Sequence, residues 1–250
     1  MRLYDTHCHF ETADPCAITA TLERARAAGV EKLMAVGGSA GLNESATVAA
    51  QCAAESAVAP KVRMAVGYDR DQVGKPRPAL PEKAEPVAAW GEIGLDYHYA
   101  PETRTEQLKL FAEQLEEAKR RGLPVVIHTR EADDDTLALL REIPSRGIIH
   151  CYTGTAEAAR QFLDLGFYIS ISGIVTFRPA DNVRDVARII PDDRILLETD
   201  SPFLAPGPMR GNPNEPAYIV HTCEFLAKLR GSEAETFAEL TFGNAERILG

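Results

Sequence analysis

The sequence predicts an α/β protein that folds as a (β/α)8 TIM barrel, and three observations support this. Eight β-like apolar segments recur along 250 residues, helical patterns separate them, and polar residues follow several of the apolar runs. Alternating strands and helices are typical of a parallel sheet, and eight repeats in a chain of this length match a barrel whose reactive groups project from the carboxyl ends of its strands. We therefore expect one domain over residues 1–250, with its functional site at the C-terminal mouth.

The predicted strands are short runs rich in aliphatic and β-branched residues, bounded by glycine, proline or polar positions. They cover Leu3–Phe10, Lys32–Gly37, Val62–Gly67, Val87–Gly94, Val125–Thr129, Gly147–Tyr152, Phe167–Val175 and Arg194–Glu198. Helical patterns, several followed by Gly or Pro, include Ile18–Ala28, Asn43–Ala57, Arg104–Arg121, Asp134–Ile143, Ala156–Leu165 and Asn182–Ile190. Two segments rich in proline or glycine, 69–86 and 201–216, are expected to be loops, the first of them over the barrel mouth.

Two histidines close the first predicted strand. His7 and His9 are two positions apart, so their side chains point to the same side of an extended chain. Two further histidines and two carboxylates also end predicted strands, and these residue types are the usual protein ligands of divalent metal ions. The complete set of candidate ligands is His7, His9, Glu92, His128, His150 and Asp200.

The origin of these candidate ligands also discriminates between architectures. A doubly wound open sheet is the competing fold, but its ligands gather at one crevice between neighbouring strands. Here the candidates come from the first, fourth, fifth, sixth and eighth predicted strands. Only a closed barrel brings the first and eighth strands together.

Six ligands exceed the four that complete a structural zinc site and suit two adjacent divalent ions, whether magnesium, manganese or zinc. The first ion is expected at His7, His9 and Asp200 and the second at His128 and His150, with Glu92 as the bridge. Two such ions can polarise a phosphoryl or carbonyl oxygen and activate water, which predicts hydrolysis. Asp200 is expected to serve as general base as well as ligand.

Basic residues near the mouth are candidates for contacts with substrate phosphate. Arg130 follows the fifth predicted strand and Arg210 lies in the last long loop, and guanidinium groups pair bidentately with phosphate oxygens. Either arginine could instead pair with a nearby acid such as Glu131 or Glu215. His98, just past the fourth predicted strand, is a third candidate for this role.

The composition restricts the classes of function. A net charge of -10 argues against binding a long nucleic acid tract through bulk positive potential, but it is compatible with a nuclease whose positive charge is concentrated in metal ions. Five cysteines without CxxC spacing indicate reduced thiols. Because no apolar run approaches transmembrane length and the N-terminus lacks signal-peptide features, we expect a cytoplasmic location, no membrane contact and no obligate protein partner.

Motifs along nearly the whole chain resemble those of the TatD family of metal-dependent deoxyribonucleases, within the amidohydrolase-like barrels. The matching motifs are DTHCH at 5–9, GEIGLDY at 91–97, GLPVVIHTREA at 122–132, HCYTG at 150–154, LLETDSPFLAP at 196–206, NEP at 214–216 and NAER at 244–247. The resemblance implies deoxyribonuclease activity, dependence on divalent metal and a two-metal site built from the six residues named above.

One motif departs from the family pattern. After the third strand many members have Gly-x-His-Pro, whereas this chain has Gly67-Tyr68-Asp69-Arg70, so a polar group that could contact phosphate is missing or replaced. The favoured function is hydrolysis of phosphodiester bonds in DNA, at single-stranded ends or in short oligonucleotides. Two alternatives are a hydrolase of small esters, lactones or aminoacyl-tRNA that uses the same site, and a barrel that keeps the metal site but serves as a scaffold.

Overall fold

The computed structural model describes residues 1–78, 80 and 87–250, and its strands form one eight-stranded parallel sheet in the order β1 to β8. The strands are β1 Leu3–Cys8, β2 Val30–Gly38, β3 Lys61–Tyr68, β4 Val87–Asp96, β5 Val125–Arg130, β6 Gly147–Ile149, β7 Tyr168–Ile171 and β8 Ile195–Leu197. A bridge between Cys8 and Ser201 joins the two ends of the sheet, so the barrel is nearly closed. The predicted (β/α)8 fold is confirmed.

Helices alternate with the strands. They are α1 Pro15–Ala27, α2 Ala40–Glu55, α3 Arg104–Arg121, α4 Asp133–Glu142, α5 Ala156–Asp164, α6 Asp181–Ile189, α7 Ile219–Leu229 and α8 Ala234–Leu249. In the predicted loop 69–86 the described residues include one 3-10 turn, Arg70–Gln72, while residues 79 and 81–86 lie outside the described part of the chain. Within the described ranges, no helix is long and apolar enough to cross a membrane.

Several strands end earlier than their apolar patterns predict. Strand β6 ends at Ile149 and β8 at Leu197. The backbone then turns at Cys151, with φ 44°, and at Asp200, with φ 56°, and these left-handed values are incompatible with an extended ladder. The chain therefore leaves the sheet at the mouth, where His150 and Asp200 are presented.

The core has two parts, as expected for a barrel with an outer ring of helices. Val125 and Ile127 of β5 pack in the larger cluster with helix residues such as Phe111 and Leu115. Val126, between them in sequence, belongs to a second cluster with Met34 and other inward-facing strand residues. This period of two follows from the pleat of the strand.

Candidate metal centre

All six predicted ligand residues converge at the carboxyl end of the barrel. Their ligand atoms form three overlapping groups, and within each group all atoms lie within 4.8 Å of one another. The groups are His7, His9 and Glu92; His7, His150 and Asp200; and Glu92, His128 and His150. Five of the six residues, all except His7, line a cavity of about 760 Å³ at the mouth.

Glu92 lies between two pairs of histidines. Its Oε2 atom is 3.5 Å from Nε2 of His7 and 3.5 Å from Nε2 of His9. Its Oε1 atom is 3.3 Å from Nδ1 of His128 and 3.4 Å from Nε2 of His150. Each carboxylate oxygen therefore faces a different pair of imidazoles, which is the arrangement that a bridging ligand requires.

The spacing of these atoms suits metal ligation better than hydrogen bonding. Asp200 Oδ1 is 3.8 Å from Nε2 of His7 and 3.6 Å from Nε2 of His9, which is longer than the ~2.7–3.2 Å of a good N–H···O bond. Two ligands bound tetrahedrally at ~2.1 Å from one ion are about 3.4 Å apart. The donor set, four imidazoles and two carboxylates, thus fits divalent ions in both chemistry and distance.

Hydrogen-bond partners outside the centre orient two of the imidazole rings. The Nδ1 atom of His9 donates to the carbonyl oxygen of Val36 at 2.9 Å, which leaves its Nε2 lone pair for the centre. The Nε2 atom of His128 contacts Asp96 Oδ2 at 2.9 Å, which leaves Nδ1 for the centre. Such outer partners fix the ring orientation of ligating histidines and raise their basicity.

His150 also has a carboxylate beside it, since its Nδ1 lies 3.5 Å from Oε1 of the fully buried Glu198, a distance longer than that of a good hydrogen bond. Sequence reasoning did not identify Glu198 or Asp96 as site residues. Both lie inside motifs that carry a ligand, GEIGLDY and LLETD. The sequence signal that could have identified them is a second acid within four residues of a candidate ligand, at the end of the same strand.

Burial controls the protonation of the cluster. It lowers the pKa of His7 to about 3, so this imidazole is neutral and its lone pair is free. Burial alone would raise the pKa of Glu92, but His150 and the other histidines around it hold that pKa well below its usual range. Burial raises the pKa of Asp200 to about 7. The central glutamate is therefore ionised, as a bridging ligand must be.

Two glycines allow β4 to place Glu92 at the centre. A Cβ atom on Gly91 would lie 2.7 Å from the Cβ of Val126. Gly94 has φ 139°, and a Cβ there would lie 1.9 Å from the carbonyl oxygen of His128. Strands β4 and β5 can approach this closely only where β4 lacks side chains, which accounts for the Gly-Glu-Ile-Gly sequence.

The departure from the family pattern brings a cation into the cluster. The Arg70 Nη1 atom donates to Glu92 Oε1 at 2.9 Å, and the Arg70 side chain is only 17% exposed. The sequence had indicated that a phosphate-contacting group was lost or replaced at this point. The structure shows that a guanidinium lines the cavity there.

The other predicted phosphate contacts have different surroundings. Arg130 lines the cavity, and its Cζ atom lies 4.7 Å from the centre of the Tyr99 ring. The Arg210 Cζ atom lies 4.2 Å from the Phe177 ring centre, and Arg210 is not among the described residues that line the cavity. His98 Nδ1 is 2.7 Å from Glu131 Oε1.

The acids considered as alternative partners of the two arginines are engaged elsewhere. Glu131 pairs with His98 as described, and Glu215 accepts from Arg24 Nε at 2.8 Å. Cys151, which neighbours a predicted ligand, also lines the cavity, and its Sγ lies 3.1 Å from Ser172 Oγ. Its left-handed backbone turns it toward the mouth, where an extended strand would have turned it away.

A (β/α)8 barrel whose mouth gathers histidines around a central glutamate has the architecture of the metal-dependent hydrolases, and this chain is of that class. The family model described as TatD related DNase matches residues 4–250, and the chain belongs to this family. The family resemblance of the sequence motifs is thereby confirmed.

Individual relatives agree with this assignment. The uncharacterized metal-dependent hydrolase YcfH of Escherichia coli K12 is 48% identical over 167 residues, which are 66% of this chain and 63% of the relative. The chain thus aligns with slightly less than two thirds of that relative's length. The 3'-5' ssDNA/RNA exonuclease TatD of Klebsiella pneumoniae is 37% identical over 173 residues, 66% of this chain and 65% of that protein.

A solved structure is similar over almost the whole chain. The TatD homologue YJJV of Escherichia coli superposes with a TM-score of 0.85 and 28% sequence identity, covering 99% of this chain and 98% of that one. The similarity therefore spans all eight strands of the barrel, including the five whose ends present the candidate ligands.

Proposed function

We propose that this protein hydrolyses phosphodiester bonds in DNA at single-stranded ends, with two divalent metal ions. The observation that carries the proposal is the division of the Glu92 carboxylate, with Oε2 facing His7 and His9 and Oε1 facing His128 and His150. Membership of the TatD related DNase family supports it, as does the name of the Klebsiella relative, a 3'-5' ssDNA/RNA exonuclease.

In this proposal His7, His9 and Asp200 hold the first ion and His128 and His150 the second, with Glu92 shared between them. When bound, magnesium, manganese or zinc ions would neutralise charge on the phosphate and make a water molecule more acidic. The protein supplies orientation, because Asp96 and Val36 fix the rings of His128 and His9.

Asp200 is the proposed proton acceptor. It lines the cavity, and its Oδ1 atom lies 3.6 Å from Nε2 of His9, so a carboxylate oxygen is available to a water molecule at the centre. Its carboxylate would take a proton from the water that attacks phosphorus, as the P–O3' bond breaks. The terminal nucleotide would leave as a 5'-monophosphate, and the 3' oxygen of the shortened strand would take up a proton from water. Arg130, which also lines the cavity, would pair with a phosphate oxygen.

The size of the cavity and the aromatic side chains at its rim favour a strand terminus over a duplex. The cavity volume of about 760 Å³ lies within the ~300–1,000 Å³ of small-ligand sites. Two aromatic side chains at its rim are unusually exposed, Tyr99 at 70% and Phe203 at 53%. Exposed rings of this kind can stack on unpaired bases, which a paired strand does not offer.

The experiment is digestion of end-labelled DNA by protein that has been stripped of metal and resupplied with magnesium, manganese or zinc. With a 5' label on single-stranded DNA we expect a ladder that shortens progressively from the 3' end, and slower digestion of blunt duplex. Glu92→Gln and Asp200→Asn should each lower the rate by at least ~100-fold, because each removes charge from the centre.

The matched control is Asp134→Asn, which changes an exposed acid at the start of α4 and should leave the rate unchanged. If the wild type binds metal but does not cleave any DNA substrate, the nuclease proposal is wrong, and small esters, lactones and aminoacyl-tRNA become the substrates to assay.

We also propose a cytoplasmic location, which the five unpaired cysteines support.

A further inference from the structure

Arg70 makes the two halves of the proposed metal centre electrically unequal. The half formed by His7 and His9 is served by two carboxylates, Glu92 through Oε2 and Asp200 through Oδ1. In the half formed by His128 and His150, Oε1 of Glu92 is the carboxylate oxygen that faces the inner ring nitrogens of both residues, whereas Asp96 and Glu198 lie beside their outer nitrogens. That same oxygen accepts a hydrogen bond from the Arg70 guanidinium at 2.9 Å.

Arg70 is held in this place by its own neighbours. Its Nη2 atom is 3.7 Å from Asp71 Oδ2, and its Nη1 atom is 3.9 Å from Asp69 Oδ2. Asp69 is itself fixed, because its Oδ1 accepts from the Asp71 amide at 2.8 Å and its own amide donates to the Gly38 carbonyl oxygen at 2.9 Å. The guanidinium is therefore positioned before any ligand binds.

We propose that the positive charge of Arg70 substitutes for part of the charge of the second ion. This chain would then bind one ion tightly and the second only weakly. The proposal rests on the proposed metal centre and deepens it. An ion between His128 and His150 would share Oε1 with the guanidinium and would be repelled by its positive charge. An ion between His7 and His9 would instead contact Oε2, the other carboxylate oxygen of Glu92, and would have Asp200 as a second anion.

The same position gives Arg70 a role toward substrate. It lines the cavity, and its Nε atom is buried without a hydrogen-bond partner among the described residues. A guanidinium offers five N–H donors, and one group can contact Glu92 and a phosphate oxygen at the same time. Arg70 would then supply, as a fixed cation, the charge neutralisation that a second ion otherwise supplies.

Metal binding tests this inference without any measurement of activity. We would titrate stripped protein with manganese by calorimetry and by electron paramagnetic resonance, which counts bound ions and detects pairs of neighbouring ions by their magnetic coupling. For the wild type we expect one tight ion and a second bound at least ~10-fold more weakly. Arg70→Met, which removes the charge but keeps an unbranched side chain, should tighten the second ion ~10-fold or more and the first by less than ~3-fold.

Two further variants separate charge from structure. Arg70→Lys retains the positive charge, so its second ion should remain weak. Arg130→Met removes the other cavity arginine and should change neither binding event, and thermal unfolding of each stripped variant would establish that it is folded. The inference is overturned if the wild type binds two ions equally well, or if Arg70→Met does not tighten the second ion.

These outcomes are separable from the fate of the nuclease proposal. Unequal binding that Arg70→Met abolishes, in a protein that cleaves no DNA, would support the role of Arg70 and refute the substrate. Failure of the wild type to bind any ion would refute both.

Discussion

At the residue scale, the properties of the mouth depend on groups that touch the proposed ligands and are not ligands themselves. The clearest case is Asp96, which is 1% exposed and accepts a hydrogen bond from His128. Its other oxygen accepts from the amides of His98 and Tyr99, so one carboxylate fixes both the ring and the turn that follows β4. Burial alone would raise the pKa of Asp96, but the hydrogen bonds from His128 and the Tyr99 amide, together with the positive charge of Arg70, outweigh it and lower the pKa to about 2.

Asp96→Asn should weaken metal binding at the His128 half. The amide can still accept one hydrogen bond, but it lacks the charge that makes the imidazole a better donor to metal. We expect a loss of ~10-fold or more in affinity for the second ion, measured by manganese titration, with little change for the first. Equally weaker binding of both ions would indicate a general distortion. The matched control is Asp134→Asn, because Asp134 is exposed and is not among the described residues that line the cavity.

The protonation of Asp200 predicts a pH dependence of metal binding. In stripped protein its pKa is raised by burial to about 7, so below this pH the carboxyl carries a proton that an ion must displace. Affinity for the first ion should therefore fall as pH drops below about 7, by up to about tenfold per pH unit for this group, and level off above it.

Calorimetry at several pH values, in buffers with different heats of ionisation, would count the protons released. Asp200→Asn should weaken binding overall and release one proton fewer per ion near pH 6. His7 contributes no proton in this range, because its pKa of about 3 leaves it neutral. The same proton count in wild type and variant would contradict the assigned role of Asp200.

At the element scale, β4 is the strand whose backbone is most specialised for the site. Gly91 and Gly94 flank Glu92 and lie against β5, where a methyl group would clash with Val126 or with the His128 carbonyl oxygen. The conformation of Gly94, with φ 139°, is one that residues with a side chain rarely adopt.

Gly94→Ala should destabilise the fold by ~3 kcal/mol or more, since it combines a disfavoured backbone conformation with a buried clash. Gly166→Ala is the control, because Gly166 also has a positive φ, 87°, but a Cβ there meets nothing within 4 Å. That variant should lose only ~1–2 kcal/mol. Urea denaturation measures both, and similar losses for the two variants would show that the contact with β5 is unimportant.

At the scale of the whole molecule, the site depends on closure between the first and last strands. Asp5 of β1 accepts hydrogen bonds from the amide and the hydroxyl of Thr199, which follows β8, at 2.9 and 2.6 Å. The Asp200 amide donates to the His7 carbonyl oxygen at 2.9 Å, and the His9 amide donates to that of Ser201 at 2.8 Å. We call these contacts between β1 and the segment after β8 the seam, and they set the distance between Asp200 and the pair formed by His7 and His9.

Asp5→Ala should open this seam. It leaves the buried donors of Thr199 unpaired, and each unpaired buried group costs about 1–3 kcal/mol, so we expect a loss of about 3 kcal/mol or more by urea denaturation. Affinity for the first ion should fall with it, because Asp200 loses its fixed position. Asp193→Ala is a control, since Asp193 is exposed and its ion pair with Arg194 is worth at most about 1 kcal/mol. Full stability of Asp5→Ala would show that the seam is held by the backbone alone.

Much of this architecture followed from the sequence. The continuous apolar runs and the helical patterns between them predicted the barrel, since a parallel strand that is buried on both faces requires apolar residues at successive positions. The positions of His7, His9, Glu92 and Asp200 at strand ends predicted that they would meet, because all carboxyl ends of a parallel barrel lie at one mouth. These inferences need only local pattern and topology.

Tertiary structure decided which further residues join the centre. Arg70, Asp96 and Glu198 reach it because loops and neighbouring strands bring them there. The motifs place Asp96 and Glu198 close to candidate ligands in sequence, but only the fold sets the contacts that they make. The early ends of β6 and β8 have the same origin, since the left-handed turns at Cys151 and Asp200 are set by the path of the chain across the mouth. The sequence alone determined the barrel and its six converging candidate ligands, because periodicity is local. The unequal charge of their two halves depends on contacts between residues distant in sequence, and only the folded chain decides it.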